Sequence, residues 1–328
     1  MKRTLRTVVG LGAALSVAML SACGGDTAPA AEPAATAAGG GEEIRLAIVL
    51  KALNSEFWQN METGAQEKAT ELGVDLDIYA PADERDVEGQ VVLVENAISQ
   101  GYDAIGVAPI SNVNLNNVLA KATAAGIYVV NIDEAVDIEN LIGLGGAVQA
   151  FITTDNEAVG QMAGEFIVAQ LGGEGEVAII EGTAGVANAT ARRDGATTAF
   201  EEGGLELVDS LSADWDRTKA YNLAQNYINK YPDLKAIYAA NDAMAMGAQE
   251  AVAASGRDIM VVGTDGNSDA VESVEAGELD ATVKQDSASV GARAVELLKE
   301  LVTGGAEIDP EAEVEQVRIE SMLVAADS

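Results

Sequence analysis

The sequence predicts an α/β protein with two parallel sheets, and three observations carry that prediction. Strand-like and helix-like segments alternate from residue 44 onward. The strand-like segments are nearly continuous apolar runs, such as Leu-Ala-Ile-Val-Leu at 46–50, which fit strands buried on both faces. Glycine follows many helical segments, at Gly73, Gly101, Gly126, Gly172, Gly203, Gly256 and Gly277, where helices end in a left-handed turn.

In chain order, strands are expected at 44–50, 74–79, 104–108, 127–132, 150–153, 176–181, 205–211, 235–239, 259–264 and 280–284. Helices are expected between them at 56–72, 87–100, 113–125, 155–171, 190–202, 217–230, 242–255, 268–276 and 287–302. That is about ten strands, too many for one small lobe, so two Rossmann-like lobes are expected. A loop after a parallel strand lies where open α/β sheets bind ligands. The first such loop, after residue 50, carries Lys51, Asn54, Ser55 and the adjacent Phe57 and Trp58. Aromatic faces ringed by hydrogen-bonding groups suit a sugar, whose C–H faces are apolar and whose rim is hydroxyls.

The amino terminus reads as an export signal. Lys2, Arg3 and Arg6 precede an apolar run at 8–20 that is too short for a typical membrane span. Leu20-Ser21-Ala22-Cys23 then matches a bacterial lipobox, so residues 1–22 are expected to be a lipoprotein signal peptide and Cys23 to carry lipid. Residues 23–43 hold no large apolar side chain and are expected to be a flexible tether. The implied location is extracytoplasmic, anchored to the cell membrane.

Composition removes several functions. Aspartate and glutamate number 53 against 19 lysines and arginines, a formal charge of -34, which disfavours nucleic acid as a partner. The chain has no histidine, which excludes a histidine-ligated metal, a Ser-His triad and a histidine base. One cysteine excludes an intramolecular disulfide. No P-loop, dinucleotide fingerprint or nucleophile elbow occurs, so no cofactor and no metal is expected.

Polar residues recur just past the later strands too: Asp133-Glu134; Gly182-Thr183-Ala184-Gly185 and then Arg192-Arg193; Ala213-Asp214-Trp215-Asp216-Arg217; Ala240-Asn241-Asp242-Ala243-Met244; Val262-Gly263-Thr264-Asp265-Gly266; and Gln285. Taken singly, Asp133, Asn241 and Asp265 could cap helices, Arg192 could be a surface charge and Trp215 a core anchor. Together they place amides, carboxylates, an arginine and aromatics at one end of successive strands.

These stretches, with Thr154-Asp155-Asn156 and residues 108–115, resemble the ribose/allose branch of the type I periplasmic sugar-binding proteins. Val49-Leu50-Lys51, Phe57-Trp58, Asp133-Glu134 and Ala191-Arg192-Arg193 resemble its allose-binding members more than its ribose-binding ones. The resemblance implies two lobes joined by a three-segment hinge: 44–149 with 286–314, and 150–285 with 315–328. It implies a monosaccharide in the cleft, a D-allose-like aldohexose favoured and ribose possible. The contacts would come from Lys51, Asn54, Phe57, Trp58, Asp133, Glu134, Asn188, Arg192, Trp215, Asn241, Asp265 and Gln285. The implied role is that of a monomeric, non-enzymatic binding subunit of an ABC importer, serving a permease with a separate ATPase subunit. An alternative is a receptor for a sugar or an autoinducer-2-like signal feeding a sensor. A glycosidase using Asp133 and Asp265 as paired carboxylates is a further reading, discriminated by a reducing-sugar assay.

Overall fold

The computed structural model describes residues 44–326. The expected signal peptide, Cys23 and the tether lie outside the described residues. Twelve strands and ten helices follow in order: β1 (Arg45–Val49), α1 (Glu56–Leu72), β2 (Asp75–Tyr79), α2 (Val87–Gln100), β3 (Ala104–Val107), α3 (Asn116–Ala124), β4 (Tyr128–Ile132), α4 (Ile138–Gly143), β5 (Ala150–Thr154) and α5 (Asn156–Leu171). Then come β6 (Glu176–Glu181), α6 (Ala187–Gly203), β7 (Glu206–Ser212), α7 (Arg217–Lys230), β8 (Leu234–Ala239), α8 (Asp242–Ser255), β9 (Met260–Asp265), α9 (Ser268–Glu275), β10 (Ala281–Gln285), α10 (Ser287–Gly304), β11 (Glu315–Ile319) and β12 (Ser321–Ala325).

The strands form two six-stranded sheets, ordered β11-β5-β4-β3-β1-β2 and β12-β10-β9-β8-β6-β7. Alternate residues of the central strands feed separate cores on the two sheet faces. Leu46 and Ile48 pack with α1 and α10, and Ala47 and Val49 pack on the opposite face. In the second sheet Ile180 and Ile179 divide in the same way. Burial on both faces is what selects the continuous apolar runs.

The chain passes between the sheets three times, after β5, after β10 and between β11 and β12. These crossings set the lobes differently from the expected boundaries at 149/150 and 314/315. Strands β5 and β11 pair with each other in the first sheet, so that lobe's sheet runs on to Thr154 and Ile319. Strand β12 also departs from the expected all-parallel pattern by pairing antiparallel with β10. The cause is geometric. The parallel strands of both sheets end at the gap between the lobes, so a chain running straight on from Ile319 through Glu320 enters the second sheet in the reverse direction. Helix α10 returns to the first lobe and lies against α1, where a Cβ on Gly291 would stand 2.0 Å from the Met61 carbonyl oxygen.

Candidate functional site

The carboxyl ends of both sheets face a cleft of about 540 Å³. Its lining includes Lys51, Asn54, Phe57, Trp58, Asp133, Asn188, Arg192, Trp215, Asn241, Asp265 and Gln285. Each sits within a few residues of a strand end or in the first turn or two of the following helix, as expected from loops after parallel strands.

Glu134 is the exception. It is fully buried and absent from the lining. Its carboxylate turns toward the second lobe and accepts the backbone N–H groups of Ala187 (2.7 Å) and Asn188 (3.3 Å) at the start of α6. In this structure the Glu134 carboxylate, expected among the sugar contacts, joins the two lobes and lies outside the cleft lining. Burial raises its carboxyl above the usual range, and Lys51 and the two amides draw it partly back.

Six of the polar lining residues, linked through Asn156, form one chain of contacts. Lys51 Nζ pairs with Asp133 Oδ2 at 2.9 Å. Asp133 Oδ1 accepts from Asn188 Nδ2 (3.1 Å), and Asn188 Oδ1 accepts from Asn156 Nδ2 (3.1 Å). Asn156 Oδ1 accepts from Arg192 Nε (2.8 Å). Arg192 Nη1 donates to the Ala240 carbonyl (2.7 Å) and meets Asp265 Oδ1 at 3.5 Å. Gln285 Nε2 donates to the same carboxylate oxygen at 2.6 Å. Burial draws the Lys51 ammonium down, but the carboxylates of Asp133, Glu134 and Glu84 more than offset this and hold it charged. Arg192 is seated by close packing of α5 on α6. A Cβ on Gly160 would fall 2.0 Å from the Arg192 carbonyl oxygen, so only glycine permits that approach.

Gln285 Oε1 is buried without a partner. A buried acceptor left open in a cleft is suited to a ligand hydroxyl. Asn241 Oδ1 accepts the Met244 N–H (2.9 Å), capping α8, and among the described residues its amide nitrogen makes no hydrogen bond that competes with a ligand at this cap.

Aromatic rings line both walls. Phe57 and Trp58 meet edge to face on the first-lobe side, with centroids 4.9 Å apart. Trp58 donates its indole N–H to Glu84 at 2.7 Å, which fixes the ring plane. Trp215 stands on the second-lobe side, with the Arg192 guanidinium 5.7 Å from its ring centre. Gly182 makes room for it, since a Cβ there would lie 2.1 Å from the indole.

Backbone strain marks the same place. The described non-glycine residues with positive φ are Asp133 (63°), Asp214 (54°), Trp215 (60°) and Asp265 (121°), and all of them line the cleft. Such conformations persist where the surroundings over-determine them, and they gather at functional sites.

Sequence reasoning missed the rim. Asp83, Glu84 and Arg85, on the loop after β2, line the cleft, as does Lys219; Asp214 and Asp216, from the stretch already singled out around Trp215, line it too. The rule used for the other strands, polar residues just past the end, would have found Glu84. Across the rim, Glu56 at the start of α1 accepts the backbone N–H (2.9 Å) and hydroxyl (2.6 Å) of Ser268 at the start of α9. The lobes are thus joined at two places outside the polar network, by Glu134 and by Glu56. With aromatic walls and fixed donors and acceptors of both charges, the cleft is equipped to hold a polyhydroxylated ring by charge-assisted hydrogen bonds. Among the described residues no cluster of histidine, cysteine and carboxylate side chains is placed to hold a metal ion.

The sequence matches the periplasmic binding protein domain over residues 46–306. It is 46% identical over 282 residues to the D-allose-binding periplasmic protein of Escherichia coli (strain K12), covering 85% of this chain and 91% of that one. It is 32% identical over 300 residues to the ribose import binding protein of Bacillus subtilis (strain 168), covering 92% and 94%. Among solved structures, an ABC transporter periplasmic solute-binding protein from Actinobacillus succinogenes 130z with bound D-allose superposes with a TM-score of 0.81 at 30% identity, covering 87% of this chain and 98% of that one.

Proposed function

This chain belongs to the periplasmic binding protein family, and we propose that it serves an ABC importer by binding a D-allose-like aldohexose between its lobes. It is a monosaccharide-binding protein and not an enzyme. Phe57 and Trp58 on one wall and Trp215 on the other flank the pyranose. Asp133, Asp265, Arg192, Lys51, Asn188, Asn241, Asn54 and Gln285 take its hydroxyls. The bound form is the closed one, in which Glu134 and Glu56 reach the second lobe, and closure about a hinge of three crossing segments presents that form to a permease. ATP hydrolysis falls to a separate subunit. The Cys23 lipid keeps the monomer at the membrane.

The observation that carries this reading is the continuous network from Lys51 to Gln285 along the cleft between two aromatic walls. The identity to the D-allose-binding protein supports allose over ribose. Calorimetric titration with D-allose, its epimers and ribose tests it. A single tight site for D-allose, with ribose weaker, is expected. Ribose binding more tightly than every aldohexose would overturn the sugar assignment, and no binding of any monosaccharide would overturn the reading itself.

A further inference from the structure

Asp242 is fully buried and stands outside the cleft lining. It does not cap α8, because Asn241 performs that task. Burial, with Asp265 nearby, pushes its carboxyl well above the ordinary range. A carboxyl group in such a place costs stability unless its bonds are needed.

Its bonds all lead to one turn. Asp242 Oδ2 accepts the Asn267 N–H at 2.8 Å. Asp242 Oδ1 accepts the Thr282 hydroxyl at 2.6 Å, and that hydroxyl oxygen accepts the Gly266 N–H at 3.3 Å. Both backbone amides that follow Asp265 are therefore received by the Asp242–Thr282 pair. This is the most unusual backbone in the cleft, with φ of 121° at Asp265 and 72° at Gly266. The carboxyl group also fills the space left by a glycine, since a Cβ on Gly263 would lie 2.3 Å from Asp242 Oδ1. Without this anchor, Asp265 has little reason to hold a conformation that side-chain-bearing residues rarely adopt.

We propose that Asp242 is a positioning residue for sugar recognition: with Thr282 it holds the 265–267 turn so that the Asp265 carboxylate is aimed into the cleft beside Arg192 and Gln285. The proposal rests on the reading of the cleft as the sugar site. Asp242 touches no ligand; it acts through Asp265.

The test combines D-allose affinity with amide hydrogen exchange of the sugar-free protein, for Asp242→Ala, Asp242→Asn and Thr282→Val, each alone and with Asp265→Ala. Asp242→Ala should weaken D-allose binding by about tenfold or more, within the range of coupling between neighbouring residues. It should also speed exchange at Gly266 and Asn267 while the rest of the second sheet stays protected. Asp242→Asn should stay within about threefold of the parent, because its amide can still accept from Asn267 and donate to Thr282. With Asp265→Ala present, removing Asp242 should cost little more affinity. Independent multiplication of the two losses would overturn the proposal, as would parental affinity in a folded Asp242→Ala. If Asp242→Ala does not fold, Thr282→Val carries the test, with faster exchange at Gly266 and a smaller affinity loss that disappears in the Asp265→Ala background. Unchanged exchange at both amides overturns the positioning role whatever the sugar does. Failure of the parent to bind any monosaccharide overturns the cleft reading instead.

Discussion

Lys51 and Asp133 form an ion pair at 2.9 Å with each side chain only 7% exposed. One residue follows β1 and the other follows β4, with β3 between those strands in the sheet, so the pair ties two non-adjacent loops of the first lobe together at the cleft. Removing one partner strands the other charge. Lys51→Met should therefore destabilise the sugar-free protein by about 3–5 kcal/mol, read by chemical denaturation. A change below about 1 kcal/mol would mean that Asp133 finds water or a proton without cost.

Asp265 is the carboxylate that Arg192 and Gln285 both address. Asp265→Ala should weaken sugar binding by about 2–5 kcal/mol, the cost of losing one side of buried charge-assisted bonds. Titration calorimetry measures it, and unchanged affinity would remove Asp265 from the site.

The pH profile follows from the same group. The absence of histidine leaves no ordinary titration between pH 6 and 8. Burial, however, raises the Asp265 carboxyl from 3.8 to about 6, with Arg192 and Gln285 pulling the other way. Sugar affinity should be flat above about pH 7 and decline below about pH 6, where the carboxylate is lost. Stability of the sugar-free protein moves oppositely. With the folded value raised, the Asp265 contribution is fully present below 3.8 and is lost as pH rises through about 6. Affinity that holds constant down to pH 5 would contradict a role for ionised Asp265.

The Glu56–Ser268 contact crosses the rim and is exposed. Ser268→Ala removes one of its two hydrogen bonds, worth about 0.5–1.5 kcal/mol at most at an exposed position. The expected result is sugar release several-fold faster with little change in association rate, measured by stopped flow. An altered association rate with unchanged release would mean the contact forms before closure.

Much of this was legible before the structure. Apolar runs mark central strands such as β1 and β3, whose two faces are both buried, whereas the edge strands β2 and β7 are half-exposed and mixed in character; the polar residues after the strands include many lining residues but not the stretch at 83–85. What escaped has physical causes. Strands β11 and β12 lie at sheet edges and are half-exposed; β11 (Glu-Gln-Val-Arg-Ile) has no apolar run, and β12 offers only the short run Met322-Leu323-Val324-Ala325 close to the last described residue. Helix α4 is only six residues long. The turn of Glu134 toward α6 was not legible, because adjacency to Asp133 does not say which way a side chain points. The link from Trp58 to Glu84 joins residues 26 apart in sequence through a side-chain contact that only packing defines.

The chain has only two tryptophans, Trp58 and Trp215, and they occupy opposite walls of the cleft. Titrating D-allose while following their emission is the most direct test that the sugar sits between them. A saturable change matching the calorimetric affinity is predicted, part of it lost in Trp58→Phe and part in Trp215→Phe, each with weaker binding. Calorimetrically proven sugar binding that leaves the emission of the parent unchanged would contradict the account.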